Sequence, residues 1–218
     1  MKKVAVRVPK VPFQLFLFIL TLMLLSTSGC ASLKADIPFA YTPSLRMGET
    51  IEGKAVFQQI EDLRSKKHRR STREIPDCAD KLTSKLVEDF RSTRLFGDVD
   101  YSPNPAEADF IITGRLEKFS WNAFFSPTYY IPVVSLIHLF GVPVVSFTGE
   151  VQLTLDVRAA GAASPRQYTG SARNKTFHNV YELKAAEGGV ELQFALRDAV
   201  KQIKEQMAKD GSPRSPGG

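Results

Sequence analysis

The sequence is poor in the side chains that carry most enzyme chemistry. It has two cysteines and three histidines in 218 residues, and His68, His138 and His178 lie far apart. No glycine-rich phosphate loop, serine nucleophile elbow or paired metal-binding motif occurs in it. Metal and acid–base sites need grouped His, Cys and carboxylate side chains. The sequence therefore predicts a protein that is not an enzyme and has no cofactor.

An excess of one charge is also nearly absent once the amino-terminal segment is set aside. The whole chain has 29 Lys and Arg against 23 Asp and Glu, a formal net charge of +6. Four of the basic residues lie within residues 1–29, which contain no acid: Lys2, Lys3, Arg7 and Lys10. The rest of the chain is close to neutral, so we expect no nucleic-acid partner.

Residues 1–29 have the three parts of an export signal. A basic stretch from Lys2 to Lys10 precedes an apolar stretch from Val11 to Leu25, and small residues then lead into Cys30. The apolar stretch has about 15 residues, whereas a helix that spans the hydrocarbon core needs about 20. We therefore favour a cleaved signal over a permanent transmembrane helix.

The cysteine at the end of this signal resembles the lipobox cysteine of bacterial lipoproteins. Cys30 follows Ser28-Gly29 directly, although Thr27 stands where the family usually has leucine. The resemblance implies that Cys30 carries diacylglycerol and an amide-linked palmitate, which would anchor the chain durably. By resemblance to enteric lipoproteins, Ala31 implies the outer membrane, with the protein facing the periplasm. The alternatives are an ordinary signal with a chance cysteine, or an uncleaved anchor.

Lipidation of Cys30 would leave Cys78 without a disulfide partner. Cys78 lies in helical register with Leu82, Leu86 and Phe90, so the pattern predicts a small buried apolar residue. The alternative is a reactive or metal-binding thiol.

After the signal, the sequence divides into a lipidated tether over residues 30–53, a periplasmic domain over residues 54–209 and a disordered tail over residues 210–218. The tether contains Pro38, Pro43, Gly48 and Gly53 with little periodicity. The tail is rich in Gly, Ser and Pro, a composition typical of disorder.

The periodicity of the domain predicts both strands and helices. Apolar residues alternate over Ala108 to Trp121 and over Val151 to Val157, and further strands are predicted over Ala55 to Leu63 and Gln167 to Lys175. Helical spacing covers Asp80 to Phe90 and the stripe Leu192, Leu196, Ala199, Val200, Ile203 and Met207. We therefore predict an α+β two-layer sandwich, a mainly antiparallel sheet with two helices packed on one face.

Residues 119–149 contain no Lys, Arg, Asp or Glu. Prolines and glycines interrupt this stretch too often for a spanning helix. One hypothesis is that it folds back over the sheet and completes the core; the other is that it contacts a partner or the membrane. The candidate contact residues are Trp121, Phe124, Phe125, Tyr129, Tyr130, Leu136 and Phe140. His138, which lies among apolar residues, is interpreted as a satisfied core histidine.

A dense basic run occupies residues 64–73. Such runs are commonly solvated loops. In the periplasm, however, the available polyanions are lipid headgroups and lipopolysaccharide phosphates, and a guanidinium group can bind a phosphate through two parallel hydrogen bonds. The candidate anionic-lipid ligands are Arg64, Lys66, Lys67, Arg69, Arg70 and Arg73.

The run Ala108-Asp109-Phe110-Ile111-Ile112-Thr113-Gly114, preceded by Leu95-Phe96-Gly97-Asp98-Val99, resembles a strand of small envelope lipoproteins. It is similar to the auxiliary lipoproteins of ABC-type envelope transport, to the lipopolysaccharide-assembly lipoprotein and to the curli-secretion group. The resemblance implies a non-catalytic part in moving lipid or protein across the envelope, by binding a larger partner.

The sequence thus favours a non-enzymatic accessory or assembly factor in envelope transport. Its expected partners are the membrane, through the lipid on Cys30, an envelope protein, and anionic lipid or lipopolysaccharide. The alternative is an oligomeric pore or secretion channel, in which charge-free stretches from several copies would insert as strands. Pro132 and Pro143 disfavour such strands.

Overall fold

The computed structural model of the chain describes residues 51–65, 78–105, 107–182 and 189–210. Over these ranges it has five strands, three α-helices and two short 3₁₀ turns. In chain order they are β1 (Ile51–Asp62), α1 (Cys78–Thr93), β2 (Phe96–Tyr101), β3 (Phe110–Phe125), a 3₁₀ turn (Pro127–Tyr130), α2 (Pro132–Ser135), a second 3₁₀ turn (Leu136–Phe140), β4 (Val145–Ala159), β5 (Arg166–His178) and α3 (Val190–Lys209).

The strands form one mixed sheet in the order β2-β1-β3-β4-β5. The pair β3–β4 and the pair β4–β5 are antiparallel, but β1 runs parallel to both β2 and β3. The α+β class is therefore confirmed, and the sheet is mixed: two of its four strand pairs are parallel, where a mainly antiparallel sheet was predicted. The physical reason is that α1 lies between β1 and β2 along the chain, and a strand–helix–strand unit returns the chain in the same direction.

The two long helices lie on one face of this sheet. Helix α1 packs on β1 and β2, while α3 packs on β4 and β5. The single-turn α2 belongs to the connection between β3 and β4 instead, so the predicted number of two helices holds only for the packed layer.

The core lies between this sheet and the two long helices. In β4 the four residues predicted to face inward are all buried, at 4% exposure or less: Val151, Leu153, Leu155 and Val157. The predicted stripe of α3 is buried as well, from Leu192 to Met207. Full burial of one such aliphatic side chain stabilises the fold by about 1.5–3 kcal/mol, so these two facing rows supply much of the driving force for folding.

Two glycines let α3 approach the sheet backbone closely. A Cβ atom at Gly170 of β5 would lie 2.0 Å from the carbonyl oxygen of Ala199, and one at Gly149 of β4 would lie 2.4 Å from the backbone of Glu191. Real Cβ atoms essentially never approach so closely, so these positions accept only glycine unless the helix moves.

Helix α1 carries its apolar residues at a spacing of four. Cys78, Leu82, Leu86 and Phe90 are all buried, with Cys78 2% exposed, which confirms the prediction for Cys78. The hydroxyl of Thr83 accepts a hydrogen bond from the backbone N–H of Ile60 at 3.1 Å, and this bond fixes α1 against β1.

A charged pair is buried where α1 meets α3. Asp89 and Lys204 are each 0% exposed and form an ion pair, and the Lys204 ammonium also donates to the hydroxyl of Thr93 at 2.9 Å. The same ammonium lies 4.6 Å from the centroid of the Phe90 ring. Burial lowers the pKa of Lys204, while the neighbouring Asp89 acts in the opposite direction.

The face of the sheet away from the long helices is polar. Arg115 pairs with Asp156 at 3.3 Å, and Glu150 pairs with both Arg173, at 3.2 Å, and Lys118. The predicted wet face is therefore a row of ion pairs across β3, β4 and β5.

The boundaries of the domain differ slightly from those predicted. Strand β1 begins at Ile51, inside the stretch predicted as tether, and Gly53 adopts a φ of +118° within it. The signal, Cys30, most of the tether and residues 211–218 lie outside the described residues.

Replacement of Asp89 by leucine removes the charge that the buried Lys204 faces. We expect Asp89→Leu to lower the free energy of unfolding by about 3–5 kcal/mol, because the desolvated ammonium loses its counterion. The double variant Asp89→Leu/Lys204→Met should recover most of this loss. Urea unfolding followed by circular dichroism checks both values, and equal stability of the single and double variants would contradict the account.

The thiol of Cys78 should be unreactive in the folded protein. Burial raises its pKa to about 11 from the usual 9.0, with Arg64 acting in the opposite direction. The folded state therefore holds the thiol proton where the unfolded chain begins to lose it, and this contribution to stability is lost as pH rises from 9 towards 11. In a chain that begins at Ala31, iodoacetamide at pH 8 should label Cys78 only after addition of denaturant.

Candidate functional site

The most unusual surface of the molecule is the connection between β3 and β4. These strands remain paired as far as Phe125 and Val145. Helix α3 begins at Val190 and meets β4 at Gly149. The connection between β3 and β4, together with the end of β3, therefore lies past the start of α3. We call residues 124–142 the apolar cap.

The backbone of the apolar cap is closed into turns by its own hydrogen bonds. The N–H of Tyr129 donates to the carbonyl of Ser126 at 3.0 Å, and the N–H of Ser135 donates to the carbonyl of Ile131 at 2.7 Å. Pro127 and Pro132 start a turn each, at positions where the N–H of a helix would have no internal partner. Further turns close through the N–H of Ile131, which donates to the carbonyl of Thr128 at 3.3 Å, and the N–H of Gly141, which donates to that of His138 at 3.2 Å.

Three polar side chains of the cap form one hydrogen-bonded chain: Ser126, Thr128 and His138. The Ser126 and Thr128 hydroxyls are 2.6 Å apart, and that of Thr128 is 3.2 Å from Nε2 of His138. Nδ1 of His138 donates to the carbonyl oxygen of Val142 at 3.0 Å, so Nδ1 carries a hydrogen. His138 is 1% exposed, which confirms its interpretation as a satisfied buried histidine.

The apolar side chains of the cap point outward. Phe140 is 88% exposed, Val133 79% and Tyr130 69%. Seven further cap residues are large, hydrophobic and exposed: Phe124, Tyr129, Ile131, Leu136, Ile137, Leu139 and Val142. Phe177 and Tyr181, at the end of β5, extend the same surface. The hypothesis that this segment folds back to complete the core is therefore wrong for residues 127–142.

Two of the predicted contact residues occupy other positions. Trp121 is 7% exposed, stacks on Phe147 with 5.2 Å between ring centroids, and donates from its indole N–H to Glu191 at 3.1 Å. Trp121 therefore lies beneath the cap and not on its surface, because its ring packs on Phe147 and its N–H binds Glu191. Phe125 is half-buried and contacts the ring of Tyr129. The other five lie on the exposed cap: Phe124, Tyr129, Tyr130, Leu136 and Phe140.

Sequence reasoning missed the node that supports the cap. Glu191, 2% exposed, binds Trp121 and also accepts from the hydroxyl of Thr176, and its carboxylate lies 3.9 Å from Nε2 of His178. The hydroxyl of Tyr181 donates to the carbonyl oxygen of Leu139 at 2.8 Å, which ties the cap to the chain after β5. The one signal in the sequence for this node is Trp121, because a buried tryptophan usually needs an acceptor for its indole N–H.

Backbone groups at both edges of the sheet are occupied by side chains. In β2 the N–H of Val99 donates to Asp98 at 2.8 Å, and the carbonyl of Val99 accepts from Arg91 at 2.8 Å. In β5 two glutamines of α3 bind the backbone: Gln202 at Ser171 and Gln206 at Thr169. Such plugs oppose the addition of a further strand at these positions.

The predicted basic site is described only at its first residue. Arg64 is 7% exposed and binds Asp62 through its guanidinium group at 2.8 and 2.9 Å. It therefore is not available to a lipid phosphate, because its donors face a carboxylate in a buried position. The remaining candidates lie outside the described residues: Lys66, Lys67, Arg69, Arg70 and Arg73.

Among the residues that the structure describes, no three His, Cys, Asp or Glu side chains are grouped so that they could hold a metal ion. Over the same ranges, no helix has both the length and the apolar composition that a membrane crossing requires.

No family model and no curated protein matches the sequence. Solved structures that resemble the fold include a PelC dodecamer from Paraburkholderia phytofirmans, with 11% identity, a TM-score of 0.38 and coverage of 76% of this chain and 94% of that one. A neuraminyllactose-binding hemagglutinin homologue from Helicobacter pylori has 10% identity, a TM-score of 0.44 and coverage of 81% and 92%. The hypothetical protein CT253 from Chlamydia trachomatis has 9% identity and a TM-score of 0.38, and the match covers 70% of this chain and 96% of that one. Likeness at this level carries no functional argument.

In the cap a histidine is buried and large apolar side chains are exposed. We therefore expect replacement of the histidine to destabilise the fold and replacement of an exposed apolar residue to have little effect. His138→Ala should lower the free energy of unfolding by about 1–3 kcal/mol, because it removes buried hydrogen bonds. Phe140→Asp should change it by less than about 0.5 kcal/mol, because the ring already lies in solvent. Thermal unfolding of the two variants checks this, and a large loss in Phe140→Asp would mean that the ring belongs to the core.

Proposed function

We propose that this chain is a lipoprotein of the bacterial envelope, anchored to the outer membrane through Cys30 and facing the periplasm. We propose further that it acts as a non-enzymatic accessory or assembly factor in envelope transport. The exposed apolar cap is the observation that carries the proposal, because it is a surface suited to contact and not to catalysis.

The extent of the cap supports a role in contact. Contiguous exposed apolar patches larger than a few hundred square ångströms are rare on monomeric proteins, and they mark sites of protein or membrane interaction. Ten large hydrophobic side chains are exposed within residues 124–142, and no charged residue occurs among them. Leaving such a surface in water costs solubility, which a binding function would offset.

The amino-terminal sequence supports the location. Residues 1–29 have the order of basic, apolar and small residues that an export signal needs, and Cys30 follows at the lipobox position. Anchoring by acyl chains would keep the domain at a membrane surface, where a contact site works at high local concentration.

The alternative of an oligomeric pore has less support. Residues 127–140 form three short helical turns, the first two of which begin with a proline, whereas a β-barrel wall needs long alternating strands. The plugged backbone groups of β2 and β5 also oppose assembly by strand addition at those positions.

The test compares the full-length chain with a Cys30→Ala variant in a bacterial host. The wild type should fractionate with the outer membrane, and its intact mass should correspond to a chain that begins at a triacylated Cys30. Cys30→Ala should keep its signal or lose the acyl mass. If both forms have the same amino terminus, the same acyl content and the same location, the lipoprotein proposal is wrong.

The accessory role has its own readout. Crosslinking of the acylated protein in membranes should recover an envelope transport component with the wild type and much less of it with Phe140→Asp, both if the cap binds that component and if it holds the domain against the membrane beside it. Size measurement in detergent separates the alternative, because a stable ring would favour a pore. A monomer whose crosslinks do not depend on the cap would contradict the accessory role as proposed.

A further inference from the structure

We propose that the apolar cap inserts directly into the interfacial layer of a lipid bilayer that contains anionic lipid. This inference rests on the proposed function and deepens it, because it names the chemistry of what the cap contacts. The occupant is a membrane surface, and a protein groove is the competing outcome of the test.

The polarity of the cap is the first argument for lipid. The side chains of Ser126, Thr128 and His138 form one hydrogen-bonded chain within the cap, which ends at the carbonyl of Val142. A segment that enters a bilayer must satisfy its polar groups internally, since the hydrocarbon offers no partners. A docking site for a protein has no such need, because a protein partner supplies its own donors and acceptors.

The shape of the cap is the second argument. The most exposed side chains, Phe140 and Val133, belong to the short helical turns at the extreme end of the β3–β4 hairpin. These side chains lie past the start of α3, so α3 does not stand between them and a flat surface.

The third argument is charge around the base of the cap. On the polar face of the sheet, the charged residues closest to the cap along the strands are Lys118, Glu150, Arg173 and Lys175. Glu150 pairs with Lys118 and Arg173, and Glu117 accepts from Gln152 on the same face. Lys175 is the charged residue of this face nearest the cap, and its ammonium lies 4.6 Å from the centroid of the exposed Phe177 ring. After β5, Glu182 is exposed and accepts from the N–H of Asn179 at 3.1 Å.

An ammonium beside an exposed ring and tyrosines at the border are typical of residues at the headgroup layer. Tyr129 and Tyr130 are both exposed, with ring centroids 5.7 Å apart. In the inserted state the aliphatic residues would lie deeper than the tyrosine hydroxyls, and Lys175 would face the lipid phosphates.

The experiment uses the chain that begins at Ala31, which carries neither the signal nor an acyl anchor. It is mixed with vesicles of phosphatidylcholine alone or of phosphatidylcholine with phosphatidylglycerol, and bound protein is recovered by flotation. Binding of the wild type should be stronger to the vesicles with phosphatidylglycerol. Phe140→Asp and Val133→Asp should each weaken binding on the order of tenfold or more, because a charge replaces a buried apolar side chain.

Two variants serve as controls. Tyr101→Asp introduces the same charge at an exposed aromatic residue of β2 that lies level with Phe57 and Ile112, far along the sheet from the cap, and should bind as the wild type does. Lys175→Ala should weaken binding about fivefold to the vesicles with phosphatidylglycerol and leave binding to phosphatidylcholine unchanged. The tryptophan fluorescence of a Phe140→Trp variant should shift to shorter wavelength when vesicles are added. The wild type, whose single Trp121 is buried, should show no such shift.

Absence of binding, or equal binding by the wild type, Phe140→Asp and Tyr101→Asp, would overturn the inference. Photo-crosslinking from position 133 in intact cells gives a second decision: adducts with lipid support insertion, and adducts with one protein in place of lipid contradict it. Either contradiction leaves the proposed lipoprotein standing, since the mass and location of the Cys30→Ala variant decide that separately.

Discussion

The close packing of α3 on the backbone of β4 and β5 is the constraint on which the rest of the structure depends. Gly149 and Gly170 remove the two Cβ atoms that would hold the helix away from the sheet. The helix consequently lies flat on the strands, and its start coincides with the level of Gly149. Among the described residues, α3 begins at this level and does not extend along residues 124–142 of the hairpin, whose large apolar side chains are exposed.

The same packing explains why a carboxylate is buried at the start of α3. Glu191 lies directly over Gly149, where it meets the indole N–H of Trp121 and the hydroxyl of Thr176. A carboxylate in the first turn of a helix interacts favourably with the helix dipole. These hydrogen bonds join β3, β5 and α3 just beneath the apolar cap, so the residues next to the cap are held in place by three elements.

Much of the fold was accessible from the sequence because its signals were local. The alternation in β4 and the stripe of α3 depend on the period of one element, and both were confirmed. The parallel direction of β1 was not accessible in this way, because it depends on which strands pair across the sheet. The basic run of residues 64–73 separates β1 from α1 in the sequence, so the strand–helix–strand order that indicates a crossover is not continuous there.

The candidate site was predicted as a segment but not as an arrangement. The charge-free stretch named the right residues, yet composition could not separate Trp121, which faces inward, from Phe124, which faces outward. That distinction depends on the phase of β3 after its irregularity between Leu116 and Lys118. The burial of Arg64 depends likewise on its pairing with Asp62, which no periodicity reveals.

The direction of β1 has a mechanical consequence. Ala55 of β1 is paired with Phe110 at the start of β3, so the chain enters the domain at the end opposite the cap. The 15 steps along β3 cover roughly 50 Å. The start of β1 and the apolar cap are thus held apart by the length of the sheet, because the backbone hydrogen bonds between the strands fix that separation.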